Sequence, residues 1–203
     1  MIDYYETKQH PVTRKMVWDA YKKVRENKGS AGVDEQSLED FARDAESNVY
    51  KIWNRMSSGS YYPPVVKQIL IPKKTGGTRS LGVPTVSDRI AQQVVKSYLE
   101  PKVESSFHEH SYGYRPGKNA HQALEKATAN CGYYSWVVDI DIRGFFDNID
   151  HELMMRAVER YTQEKWVLIY IERWLKAGLY REGKIEERIK GTPQGGVSAL
   201  RSA

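Results

Sequence analysis

A chain of 203 residues, 40% hydrophobic and 28% charged, has the length for one or two globular domains with a real core. Its net charge of +5, from 31 Lys and Arg against 26 Asp and Glu, is compatible with a polyanionic partner. No apolar run nears the length of a membrane span, the opening "MIDYYETKQH" lacks a signal-peptide core, and a single cysteine, Cys131, excludes an intrachain disulfide and a Cys-based zinc cage. These features favour a cytoplasmic protein with no membrane association.

In chain order, "TRKMVWDAYKKVRENKG" reads as an amphipathic helix, with Met16, Val17, Ala20 and Val24 at helical spacing and Gly29 as the stop. "SAGVD" is a turn. "SLEDFARDAESNVYKIWNRM" is a second helix, N-capped by Ser37 with Asp40 three residues on. "VVKQILIPKKTGGTRSLGVP" is a β-hairpin, two apolar runs around a Gly-Gly turn rimmed with cations. From Val65 to Arg89 the cations are Lys67, Lys73, Lys74, Arg79 and Arg89, and the only acid is Asp88.

"TVSDRIAQQVVKSYLEPKVESSF" is a helix bent or broken near Pro101. The loop "HEHSYGYRPGKN" leads to a short helix, "AHQALEKATANC". "YYSWVVDIDI" reads as a buried strand, "HELMMRAVERY" and "EKWVLIYIERWLKAGL" as helices, and "LYREGKIEERI" as a second hairpin turning at Gly183. The fold class is α+β.

The strand carries the chemistry. Alternation puts Val138, Ile140 and Ile142 on one face and Val137, Asp139 and Asp141 on the other, with the two carboxylates roughly 7 Å apart. Such a strand end suits a hard cation, since Mg²⁺ prefers oxygen ligands and completes its shell with phosphates. The competing reading is capping: Asp147 or Asp150 stands where the next helix needs an N-cap. His108 and His110 lack the spacing of a two-histidine zinc helix, and Gly76–Gly77 lacks the Gly-Lys-Ser/Thr tail of a P-loop.

"VVDIDIRGFFDNIDHELM" resembles the first palm carboxylate motif of bacterial group II intron reverse transcriptases. "NKGSAGVDEQSLEDF" resembles their N-terminal extension, and "YYPPVVKQILIPKKTGGTRSLGVPTVSDRIAQQ" their fingers. "HSYGYRPGKNAHQAL" and "GTPQGGVSAL" resemble the next two motifs. All five stand in family order over about residues 27 to 200.

The resemblance implies a right-hand polymerase: an N-terminal extension over 1–36, fingers over 37–133 and a partial palm over 134–203. It implies that Asp141 is the first catalytic aspartate and a ligand of both of two Mg²⁺ ions, helped by the Ile142 carbonyl, with Asp139 a weaker candidate. Lys73 and Arg79 would hold the incoming dNTP, Phe146 would exclude a ribose 2′-hydroxyl, and Gln194 would contact the nucleotide or its template base. Phe145 is assigned to the core.

Arg89, Arg115 and Lys118 are candidate template contacts. Two readings stand for the loop: Arg115 as an internal ion-pair partner rather than an RNA contact, and Tyr112 and Tyr114 as packing rather than stacking residues. The implied partners are an RNA template, a DNA primer and group II intron RNA, whose splicing the family assists. The family's second metal element, a Tyr-x-Asp-Asp hairpin, is expected beyond Ala203. With Asp141 alone the carboxylates are too few for two metals, so these 203 residues are not expected to polymerise by themselves. An incomplete palm would expose apolar surface, making a homodimer plausible. The alternative function is a non-catalytic, maturase-like RNA-binding module.

Overall fold

The computed structural model describes residues 9–72 and 76–192, apart from the Arg79 side chain. The N-terminal part is helical, as the periodicity requires. Helix α1 (Arg14–Glu26) starts at Thr13, whose hydroxyl accepts from the Met16 N–H at 3.2 Å. It buries Val17, Ala20, Tyr21 and Val24, one face at helical spacing. The second predicted helix divides into α2 (Leu38–Arg43) and α3 (Ala45–Ser57). Asp44 causes the break: its backbone (φ −131°, ψ 49°) is not helical, and the Asn48 side chain turns back to the Phe41 carbonyl at 3.1 Å.

The finger hairpin forms as expected. Strands β1 (Val66–Pro72) and β2 (Thr78–Val83) pair antiparallel, Ile69 opposite Leu81, and the turn contains Gly76 and Gly77. Helix α4 (Val86–Glu104) follows and accommodates Pro101 within its last turn. Helix α5 (Ala120–Cys131) is capped by Asn119 but buries none of its residues. The short α6 (Phe145–Asn148) was not anticipated. Helices α7 (His151–Glu159) and α8 (Lys165–Lys176) and the hairpin of β3 (Leu179–Arg181) and β4 (Lys184–Glu186) lie where the sequence places them.

The sheet order is β2-β1-β3-β4, with β1 and β3 parallel. The later hairpin therefore extends the finger sheet, and the Val66 N–H donates to the Gly178 carbonyl at 2.8 Å.

One core joins α1, α3, α4 and α8. Val17, Val49, Met56, Ile90, Trp166, Val167 and Tyr170 are among its buried members. Packing thus crosses the motif-based division at residue 134, because α8 is apolar on the face that meets the N-terminal helices. Polar ties accompany it. The Tyr170 hydroxyl donates to the Met56 carbonyl at 2.6 Å, and Arg173 Nη1 donates to the carbonyls of Gly59 (2.8 Å) and Tyr61 (2.6 Å).

At the centre lies Asp88, fully buried. Its Oδ1 accepts from the Tyr61 hydroxyl (3.0 Å) and Trp174 Nε1 (2.7 Å), and its Oδ2 from Gln92 Nε2 (2.9 Å). Burial pushes its carboxyl up to about 6, against the opposing pull of the Trp174, Tyr61 and Gln92 donors. Asp88 thus ties the segment before β1 to α4 and α8.

The expected buried strand over 133–142 does not form. The segment is unpaired, and Trp136, Val138, Ile140 and Ile142 are 89, 79, 82 and 65% exposed. A strand needs a hydrogen-bonded neighbour, and no described residue pairs with these. The apolar alternation is that of a strand, but the sheet it belongs to is not supplied by the described residues.

Candidate nucleotide and template site

The four aspartates of "DIDIRGFFDNID" have separate environments. Asp139 and Asp141 are exposed on the unpaired segment. Asp150 is the N-cap of α7, its Oδ1 accepting from the Leu153 N–H at 2.9 Å, so the capping reading holds for this residue. Asp147 faces Arg188, whose guanidinium is half-buried; burial lowers the Arg188 value, and Asp147 opposes that shift. Among the described residues no group of three or more His, Cys, Asp or Glu is placed to hold a metal.

After Asp141 the chain turns sharply. The Ile142 carbonyl accepts from the Phe145 N–H at 3.3 Å, and Gly144, at φ 62°, opens α6. The two rings of this turn differ in burial. Phe145 is exposed, so its assignment to the core is corrected; Phe146 is half-buried and packs against the core. The rings meet edge-on, centroids 5.4 Å apart at 76°. One ring thereby braces the other.

The segment entering "GTPQGG" docks on this turn. The Gly191 N–H donates to the Ile149 carbonyl at 2.7 Å, and the Thr192 N–H to the Phe146 carbonyl at 2.8 Å. Lys190 Nζ donates to Asn148 Oδ1 at 3.0 Å, and His151 Nε2 lies 2.8 Å from the Gly191 carbonyl. Gly191 has φ 77°, and a Cβ there would lie 2.7 Å from the Asp147 carbonyl oxygen. Only glycine permits this approach. Two motifs some 40 residues apart in the chain are thus brought together.

Other candidate residues fare differently. Lys73 and Gln194 lie outside the described residues, as does the Arg79 side chain; the Arg79 backbone pairs with Ile71. Arg89 is buried, and its Nη1 and Nη2 donate to the Lys28 (2.8 Å) and Ser30 (3.1 Å) carbonyls. Its reading as a template contact is corrected: the guanidinium clamps the turn after α1 onto α4. Gly29 is required beneath it, since a Cβ there would overlap Nη1.

Arg115 takes the internal role that was the competing reading. Its Nε and Nη2 donate to Glu104 Oε1 at 2.9 and 2.6 Å, and its Nη1 to the His108 (2.7 Å) and Ser111 (3.1 Å) carbonyls. Lys118 is the more available cation of the loop: its exposed Nζ donates to the Glu109 carbonyl at 2.9 Å and lies 5.0 Å from the Tyr112 ring centroid. Sequence reasoning missed the contact of His151 with Gly191. No spacing signals a helix-start histidine that reaches a carbonyl from a distant loop.

Residues 71–200 match the family described as reverse transcriptase (RNA-dependent DNA polymerase). The chain belongs to the reverse transcriptase family. Over 181 residues, 88% of its length, this reverse transcriptase chain is 33% identical to the group II intron-encoded protein LtrA of Lactococcus lactis subsp. cremoris and spans 30% of that protein. It is 35% identical over 149 residues to protein YkfC of Escherichia coli, covering 71% of the chain and 39% of YkfC. A 93-residue stretch is 31% identical to nuclear intron maturase 1, mitochondrial, of Arabidopsis thaliana, 46% of the chain and 13% of that protein.

A solved structure titled "Partial Cas6-RT-Cas1--Cas2 complex" superposes with a TM-score of 0.58 at 22% identity, over 94% of this chain and 32% of that one, and shares the fold. The α+β architecture and the resemblance to group II intron reverse transcriptases and maturases are thereby established. Reverse transcriptases as a family use divalent metals and RNA templates. No helix of the described residues is long and apolar enough to cross a membrane.

Proposed function

We propose that this chain forms the fingers and part of the palm of a group II intron reverse transcriptase, whose parent copies RNA into DNA and helps its intron splice. The observation that carries this reading is the docking of Gly191–Thr192 on the Phe146 turn, with the Thr192 N–H on the Phe146 carbonyl at 2.8 Å. It supports the reading because Thr192, two residues before Gln194 in the sequence, meets Phe146, and Asp141 stands five residues before that ring in the sequence.

The donors at hand fit Mg²⁺ in part. This ion is usually held by one or two carboxylates, waters and substrate phosphates, and Asp141 is an accessible carboxylate of that kind. The Ile142 carbonyl accepts one hydrogen bond and keeps a second lone pair for a cation. Two Mg²⁺ ions, when bound, would neutralise the triphosphate and favour the ionised primer 3′-hydroxyl.

The chain's own residues then position the reactants. Lys73 and Arg79 neutralise the triphosphate, and Gln194 aligns the base. Phe146, braced by Phe145 and the core, presents a bulky wall to a 2′-hydroxyl. Lys118 supplies a template phosphate contact. Attack of the 3′-hydroxyl on the α-phosphate with loss of pyrophosphate is mostly a matter of this positioning and charge neutralisation.

The exposed strip from Trp136 to Ile142 is the surface through which two copies of the isolated chain would associate.

The test is binding of an RNA template annealed to a DNA primer, followed over a series of salt concentrations. Affinity should fall steeply with salt, with a slope set by the phosphates contacted. Salt-independent binding, or none at low salt, refutes the template role. RNA binding without any binding of Mg²⁺·dNTP supports the non-catalytic maturase-like module instead.

A further inference from the structure

We propose that His151 is a positioning residue for the nucleotide-binding loop, its imidazole fixing the peptide that leads into the Pro-Gln-Gly motif. The inference rests on the reading above that residues around Phe146 and Gln194 receive the incoming nucleotide.

A carbonyl oxygen only accepts, so the His151 Nε2 that lies 2.8 Å from the Gly191 oxygen carries the proton. The peptide between Gly191 and Thr192 is then held at both ends. Its C=O meets the His151 ring at 2.8 Å, and its N–H meets the Phe146 carbonyl at 2.8 Å. A peptide unit is planar, so two bonds on opposite edges fix its orientation. The neighbouring Gly191 N–H, on the Ile149 carbonyl at 2.7 Å, removes the remaining freedom on that side. Thr192 precedes Pro193, which restricts Thr192 itself to extended backbone. The orientation of the Gly191–Thr192 peptide, the last described one before the Pro-Gln-Gly motif, is therefore held by His151 and the Phe146 carbonyl.

The imidazole is itself held in place. His151 is the first residue of α7, whose start is fixed by the Asp150 cap on the Leu153 N–H at 2.9 Å. The ring is half-buried, so its bond to Gly191 is partly shielded from competing water. A plain helix-start histidine has no need of a carbonyl 40 residues away. This one joins the palm carboxylate motif to the nucleotide motif through a side chain that touches neither substrate nor metal.

The test compares the full 203-residue chain with H151F and H151A, which remove the donor, and H151Q, whose amide can donate. Amide hydrogen exchange reads Gly191 and Thr192, a titration with Mg²⁺·dNTP reads the site, and urea unfolding reads the whole fold. In H151F and H151A, Thr192 exchange should quicken and the dNTP dissociation constant rise, each about tenfold, the loss of one shielded hydrogen bond. H151Q should recover most of both.

The unfolding midpoint should fall by no more than this one bond accounts for, with protection away from residues 191–192 unchanged, which separates positioning from general stability. Unchanged Thr192 exchange in H151F and H151A overturns the proposal. So does a loss of protection spread evenly over the protein. Failure of the unaltered chain to bind Mg²⁺·dNTP overturns the nucleotide reading, and Thr192 exchange still decides whether His151 holds the peptide.

Discussion

Asp88 offers the sharpest test of the packing. It is fully buried, receives hydrogen bonds from Tyr61, Trp174 and Gln92, and its carboxyl is raised from an ordinary 3.8 to about 6. The native state therefore holds the proton more tightly than the unfolded chain. The associated stability is fully present below the unfolded value, is lost as pH rises through about 6, and is absent above that. At about 1.36 kcal/mol per tenfold, the whole effect is about 3 kcal/mol, of which about 2 kcal/mol falls between about pH 4.5 and 7.5.

The comparison is D88N, which keeps the shape and cannot titrate. Its amide has one acceptor oxygen for donors that now sit on two, so a mismatch of about 1–3 kcal/mol persists at every pH. Urea unfolding followed by tryptophan fluorescence at several pH values gives both stabilities. The wild-type advantage over D88N should shrink by about 2 kcal/mol from acid to neutral pH. An advantage that is flat, or that grows with pH, refutes the reasoning and means the three donors outweigh burial.

Three further outcomes follow from the placement of cations and the open strand. Replacing Arg89 with Met should cost about 2–4 kcal/mol in urea unfolding, by loss of two charge-assisted bonds to carbonyls, with no change in the salt dependence of RNA binding. K118A should leave stability within about 0.5 kcal/mol and flatten the log–log salt slope of RNA binding by about 1. The isolated chain should self-associate through residues 136–142, so light scattering at rising concentration should show a dimer, and I140K should return it to monomer; a wild-type monomer at high concentration contradicts this.

Much of the fold was legible because its signals are local. The face of Val17, Ala20 and Val24, the Ser37 cap, and the Gly-Gly and Gly183 turns each report on a few neighbouring residues, and each element formed. What was not legible is long-range. The Asp44 break goes with an Asn48 side chain that turns back to the Phe41 carbonyl seven residues before it, and the parallel pairing of β1 with β3 joins segments more than 100 residues apart. Alternation over 136–142 encodes a strand but not the neighbour it needs.

The same limit applies to the site. Asp141 and Phe146 are marked by their motif, yet no pattern distinguishes Arg89, consumed by carbonyls, from Lys118, an exposed cation on its loop. Both are cations of the kind that phosphate binding needs, which made both candidate template contacts. Asp88 stood out as the lone acid of that segment, but two of its three donors, Tyr61 and Trp174, come from distant parts of the chain, while Gln92 stands one turn on in its own helix.

The most direct measurement of the central claim is a calorimetric titration of the chain with a deoxynucleoside triphosphate, with Mg²⁺ and with EDTA, in wild type and D141A. A nucleotide site built on Asp141, the Phe146 turn and the Pro-Gln-Gly loop predicts saturable binding that requires Mg²⁺ and is lost in D141A. Binding that is the same in EDTA and in D141A, or no binding in wild type, contradicts it.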